Sequence, residues 1–231
     1  MDNNYFLDLD RKDRLGFPET VYGANKDTAT LIRIIDKLIE KHGSAYLTRV
    51  QNDKAKSLSE NYEEIDYDPK SGACIIGKPL DQRFDFKVAV VSAGTSDEFV
   101  VNEALYTLKY LGVPADKFQD VGVAGLHRIL SVRKELENYD ILIVIAGFEG
   151  ALPTVVGGLM SQPIIAVPAS IGYGVAAGGK SALESMLSSC ANGILVQNID
   201  NGYGAALAAF RIVNTFSKKT APLNSIKANN Q

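Results

Sequence analysis

The chain has 231 residues, 46% of them hydrophobic, with 24 Lys and Arg against 27 Asp and Glu and a formal charge of -3. That is the composition of an ordinary globular protein with a sizeable core. It offers no broad basic surface for DNA or RNA, and no apolar run approaches the ~20 residues that span a bilayer. The two cysteines, Cys74 and Cys190, and the two histidines, His42 and His127, form neither a disulfide framework nor a zinc set. The start, MDNNYFLDLDRKDR, is polar and acidic, unlike a secretory signal, so the expected location is the cytoplasm.

The chain changes character near residue 85. Before it, DTATLIRIIDKLIEKHG reads as a helix with Leu31, Ile34, Ile35, Leu38 and Ile39 on one face. Asp27 or Thr28 caps its start, Gly43 ends it, and His42 complements the helix dipole at the surface. AYLTRV (45–50) reads as a strand, and EIDYDPKSGACIIGK as two strands about the turn 69–72, with Cys74 in the second as a packing residue.

After residue 85, strands are expected at 86–94, 118–125, 139–147, 163–170 and 193–199. They alternate with helices near 97–111, 126–137, 150–160, 180–190 and 204–217. Most of these strands are β-branched apolar runs, as in a parallel sheet covered on both faces. The expected fold is α/β, a three-layer doubly wound parallel sheet preceded by a small α+β domain. The divisions are 1–84, 85–217 and a polar tail, 218–231. Ligands in such sheets bind beyond the carboxyl ends of the strands. Those ends read SAGTSD, VAGLHR, AGFEGALP, VPASIGYG and NIDNGYG.

Each end supports two readings. In SAGTSD, Thr95 or Ser96 caps the next helix, or the free amides beside Gly94 hold a phosphate. No dinucleotide or P-loop fingerprint is present. Glu149 either complements a helix start or is a partly buried carboxylate suited to moving a proton. His127 and Arg128 sit at the ligand-binding end, and Arg128 could grip a phosphate or carboxylate. Gly172, Tyr173 and Gly174 belong to a segment able to wrap a flat ring. Lys180 faces that ligand or solvent. Asp200 and Asn201 form a turn or bond a ribose.

Cys190 has its own ambiguity. Leu183, Met186, Leu187 and Cys190 fall at i, i+3, i+4 and i+7, the core stripe of a helix. A cysteine near a helix carboxyl end is also poorly placed to become a thiolate. By pattern alone Cys190 is a core residue.

Taken together, the motifs resemble known families. The serine-aspartate loop, HR after the second strand, AG…LP…V…L and PIIAVP resemble the PurE family of aminoimidazole ribonucleotide carboxylases and mutases. The loop AGTSD and the N-terminal segment of over 80 residues depart from that pattern and resemble the narrower LarB family of nickel-pincer cofactor biosynthesis. SAGTSD, GFEGALPTVVGGL, PIIAVPASIGYG, the later ML, SCA and GI positions, NIDNGYGAA, RLGFPETVYGANK and TRV carry that likeness over nearly the whole chain.

The LarB resemblance implies carboxylation of the pyridinium ring of nicotinic acid adenine dinucleotide and hydrolysis of its phosphoanhydride. The products are pyridinium-3,5-biscarboxylate mononucleotide and AMP. CO2 or bicarbonate is the carbon donor, no tightly bound cofactor is expected, and the product passes to a sulfur transferase and a nickel insertase. Nucleic acid and membranes are not expected partners; a homo-octamer is. The resemblance places the nucleophile at Cys190; Glu149 is the leading candidate for proton transfer, and Asp97 lies near ribose or phosphate or instead positions water or Mg2+ for the hydrolysis. Ser92, Gly94, Thr95, Ser96, His127, Arg128, Gly147, Gly150, Gly172, Tyr173, Gly174, Lys180, Asp200 and Asn201 are expected around the substrate.

The ring explains the thiol. A pyridinium is electron-poor, so its carbons do not attack CO2. Thiolate addition para to nitrogen gives a dihydropyridine whose meta carbon is the nucleophilic end of an enamine. Two other readings remain: an aminoimidazole ribonucleotide carboxylase or mutase, which needs no thiol, and a non-catalytic dinucleotide-binding module.

Overall fold

A computed structural model describes residues 6–81 and 84–220, with side chains to 217. In chain order the elements are α1 (Arg11–Leu15), β1 (Thr20–Tyr22), α2 (Thr28–His42), β2 (Ser44–Thr48), α3 (Asn52–Ser59), β3 (Ile65–Tyr67) and β4 (Cys74–Gly77). Then come β5 (Val88–Ser92), α4 (Glu98–Tyr110), β6 (Ala115–Phe118), α5 (Leu126–Leu136), β7 (Ile141–Ala146) and α6 (Leu152–Leu159). The chain continues through β8 (Ile164–Pro168), α7 (Lys180–Leu187), β9 (Leu195–Val196) and α8 (Gly202–Thr220).

The first seven elements build a mixed sheet in the order β1-β2-β4-β3, with β1 parallel to β2 and the other pairs antiparallel. The apolar stripe of α2 covers it: Leu31, Ile34, Ile35 and Leu38 are buried with Leu47, Cys74 and Ile76. Asp27 caps α2 by accepting from the Thr30 amide at 2.8 Å, and Gly43 ends it at φ 78. His42 is half-buried with its Nε2 shut away and unpartnered, and burial lowers its pKa. It is therefore not the dipole-complementing surface residue expected. Burial pushes the Cys74 thiol up to about 12, with Asp66 adding to the rise, which makes it inert packing.

The remaining strands form one parallel sheet, β6-β5-β7-β8-β9. Alternate residues serve opposite faces. Val88, Val90, Ile141, Ile143 and Ile145 share one core with residues of α4 and α8. Ala89, Val91, Leu142 and Val144 share the other with residues of α5, α6 and α7. This is the three-layer arrangement expected. Two strands differ: β9 covers only Leu195–Val196 of the expected 193–199, and β6 ends at Phe118, so that the apolar stretch VGVAG, expected as strand, is a loop ending in a 3-10 turn at Val123–Gly125. Helix α8 runs to Thr220, into the segment expected as a tail. Residues 221–231 of that tail lie outside the described residues. No helix among the described residues is long and apolar enough to cross a membrane.

The mixed sheet is fastened to α4. Tyr46 stacks on Tyr110 with centroids 5.1 Å apart, and its hydroxyl lies 2.8 Å from Thr107 Oγ1. Arg49 grips Glu103 through Nε at 2.7 Å and Nη2 at 3.3 Å, and also donates to the Asp200 carbonyl. Glu103 is 2% exposed, so removing Arg49 would leave it buried without its counter-charge. Arg49→Ala should lower the unfolding free energy by about 3 kcal/mol, and Arg49→Ala/Glu103→Leu should recover part of it. Chemical denaturation of the three chains checks this.

Candidate active site

The strand order places the crossover reversal between β5 and β7, where an open α/β sheet leaves a crevice beyond its carboxyl edge. A cleft of about 400 Å³ lies there. It is walled by the loops after β5 (Gly94, Ser96, Asp97), β6 (Asp120, Gly122, Val123) and β7 (Gly147, Phe148, Glu149), with Arg128 and Ile171 at its sides.

Neither Thr95 nor Ser96 caps the helical turn that starts here. Asp97 instead folds back and accepts from the Gly94 amide at 2.9 Å. Asp97 is 2% exposed. Burial pushes its carboxyl up to about 6; the Gly94 amide opposes the rise and the negative Asp200 adds to it. A carboxyl with that pKa in a cleft can accept and return a proton near neutral pH. Glu149 lines the cleft too, but it is exposed, so the partial burial expected for it does not occur. Proton transfer therefore suits Asp97 better than Glu149.

Arg128 also lines the cleft. Its Nη1 donates to Asp120 at 2.7 Å and its Nη2 to the Gly122 carbonyl at 3.4 Å, while Nε is buried without a partner. Its fork is therefore partly committed to Asp120. Among the described residues, no three His, Cys, Asp or Glu converge as a metal set. Asp97 spends one oxygen on Gly94, so the donors do not fit a protein-held Mg2+.

Other expected residues do not line this cleft. Ser92 is buried and bonds the Gly94 carbonyl at 3.2 Å. Thr95 and His127 are exposed outside the lining. Gly150, at φ 65, lets α7 approach, because a Cβ there would sit 2.8 Å from the Ala182 backbone. Gly172 and Gly174 shape the next loop, whose Tyr173 packs edge-on against Phe148 at 5.4 Å. Lys180 faces solvent near Glu184. Asp200 accepts from the Ser170 amide at 2.7 Å, and Asn201 from the Gly204 amide at 2.8 Å at the start of α8.

Cys190 departs most from its pattern. Helix α7 stops at Leu187, which is 67% exposed, and Cys190 lies beyond it, exposed. It is neither on a helix nor in the core. Its loop is pinned by Ser189, whose Oγ lies 2.7 Å from Thr154 Oγ1 and accepts from the Ala191 amide at 3.1 Å. Cys190 does not line the cleft of its own chain.

Asp120, Phe148 and Ile171 are among the cleft residues that the sequence reading does not single out. Asp120 and Phe148 have positive φ, 63° and 52°, which nothing in a residue pattern announces.

The raised Asp97 pKa is also a statement about stability. Folded Asp97 keeps its proton to higher pH than the unfolded chain does, so stability falls as pH rises from near 4 through about 6. Asp97→Asn should raise the unfolding free energy at pH 7 by about 2 kcal/mol, and the gain should vanish below pH 4. Denaturant titrations across that range check both the sign and the window.

Both halves of the chain match known protein families. Residues 4–78 match the LarB/PurE-like N-terminal domain, and residues 87–231 match the AIR carboxylase family. An uncharacterized protein of Methanocaldococcus jannaschii is 39% identical over 92% of this chain and 85% of its own. The N5-carboxyaminoimidazole ribonucleotide mutase of the same organism is 32% identical over 54% of this chain and 78% of its own. The crystal structure of Treponema denticola PurE aligns with TM-score 0.49 at 24% identity, covering 58% of this chain and 83% of that one. With an N-terminal LarB domain followed by a core of the PurE carboxylase and mutase kind, the chain belongs to the LarB family.

Proposed function

We propose that this protein carboxylates the pyridinium ring of nicotinic acid adenine dinucleotide and hydrolyses its phosphoanhydride, with Cys190 as nucleophile and Asp97 as the proton acceptor. The observation that carries this reading, rather than a purine carboxylase, is the exposed Cys190 thiol beside a PurE-like core. An aminoimidazole is already an enamine and needs no thiol; a pyridinium does.

The steps balance. The thiolate adds to the ring carbon para to nitrogen, and the ring nitrogen takes up the electron pair. The adjacent ring carbon attacks CO2, forming the new C–C bond. Asp97 accepts the proton from that carbon, and the thiolate leaves as the ring regains aromaticity. Arg128, beside the cleft, offers charge for a carboxylate or phosphate. Water cleaves the phosphoanhydride and releases AMP.

Because Cys190 is outside the cleft of its own chain, the reaction requires association of copies, consistent with a homo-octamer that carries a Cys190 loop to a cleft. Exposed apolar residues support such association: Phe148 is 42% exposed, Tyr173 78%, Val175 97% and Leu187 67%. The product would serve a sulfur transferase and a nickel insertase in turn.

Mass spectrometry of the products formed from the dinucleotide and bicarbonate tests this reading. Wild type should give the biscarboxylate mononucleotide and AMP, and Cys190→Ala should lose the carboxylated product by at least 100-fold. Cys190→Ala forming it at near wild-type rate would sink the thiol mechanism. Turnover of aminoimidazole ribonucleotide by both chains would instead establish the purine reaction.

A further inference from the structure

The N-terminal domain carries a second cleft, of about 530 Å³, bordering the start of α4. Three segments meet there, 22–24, 49–52 and 67–72, and each is fixed by its own bonds. Lys54 Nζ donates to the carbonyls of Gly23 at 3.1 Å and Ala24 at 2.7 Å. The Tyr67 hydroxyl donates to the Val50 carbonyl at 3.0 Å and lies 2.7 Å from Asn52 Oδ1. Buried Asp68 accepts from the Ser71 amide at 2.8 Å and from Asn102 of α4 at 3.1 Å. The fit is tight, since a Cβ on Gly72 would lie 2.7 Å from the Val50 carbonyl oxygen. The cleft is preformed.

Its lining combines two rings, two amides and two cations: Tyr22, Tyr67, Gln51, Asn52, Arg49 and Lys70. Tyr22 is 52% exposed, so its ring is available for a flat base to stack on. Amide side chains match the edges of such a base. Lys70 is 64% exposed and pairs with Glu98 at 3.1 Å. An exposed pair of that kind is weak, so a phosphate dianion can replace the carboxylate at little cost. Arg49, at φ 56, is held by Glu103 and supplies a fixed positive edge.

The two clefts adjoin across the first turn of α4. Ser96 and Asp97 line the core cleft. Glu98 pairs with Lys70, and the Arg49 guanidinium stands 5.9 Å from the Phe99 ring centroid. Consecutive residues of one turn thus separate a proton-handling carboxyl from a site suited to a base and a phosphate.

We infer that the N-terminal cleft binds a nucleoside 5′-monophosphate, the AMP half of the dinucleotide, and leaves the pyridinium half to the core cleft. The inference rests on the dinucleotide reading given above. The N-terminal domain then anchors the half of the substrate that is not carboxylated and sets the phosphoanhydride over the start of α4.

Calorimetric titration of the full-length protein with AMP tests it. Tyr22→Ala and Lys70→Ala, both at exposed side chains, should each weaken AMP binding by tenfold or more, while Tyr22→Phe should keep it. Both alanine variants should raise the KM for the dinucleotide with little change in kcat. Equal AMP affinity in wild type and the alanine variants would overturn the inference, as would no AMP binding to wild type at millimolar concentration. If AMP binding is lost in the variants but no dinucleotide is turned over by wild type, the cleft assignment stands and the carboxylase reading fails. If wild type turns over the dinucleotide and the variants bind AMP as wild type does, the reverse holds.

Discussion

A carboxylate shut away from water with one backbone amide as its hydrogen-bonding partner is the constraint around which the active end is built. Asp97 occupies that position because the chain leaves β5 through Gly94, whose amide it accepts. The arrangement costs stability at neutral pH, since the charged form is both desolvated and set near Asp200. The cost is what suits Asp97 to exchange a proton near neutrality.

Asp97 is held in that state from both domains. Asp200 is fixed by the Ser170 amide through its side chain and by Arg49 through its carbonyl. Arg49 comes from the mixed sheet and is itself anchored on Glu103 of α4, whose other oxygen accepts from the Tyr203 amide at 3.1 Å. The N-terminal domain is thus part of the scaffold of the core site and not an appendage beside it. The parallel sheet supplies the rest: its strand order opens the crevice, and its glycines let neighbouring loops close in. A Cβ on Gly147 would lie 2.4 Å from the Ile171 carbonyl oxygen.

The layering was legible because strands buried on both faces are written as β-branched runs, and α2 because its stripe and caps agree. Edge strand β6 was misplaced for the opposite reason. Ala115–Phe118 has one neighbouring strand and buries only Phe118, so it reads as polar, while the apolar VGVAG beyond it imitates a strand. The pattern alone puts Cys190 on a helix because the helical period runs on through SSC. The chain leaves the helix at Ser188, whose hydroxyl bonds the Glu184 carbonyl at 2.6 Å, and Ser189 turns to Thr154. Asp97 and Glu149 look alike in sequence, each an acid shortly after a buried strand. Only the path of the backbone shows that the first turns inward and the second outward.

The most direct test is the ionisation of Asp97 itself. An infrared titration of the protonated-carboxyl band, assigned by its loss in Asp97→Asn, reads it without recourse to activity. The geometry predicts a midpoint at about 6. A midpoint near 4, the value of an unperturbed aspartate, would contradict the burial and the role in proton transfer together.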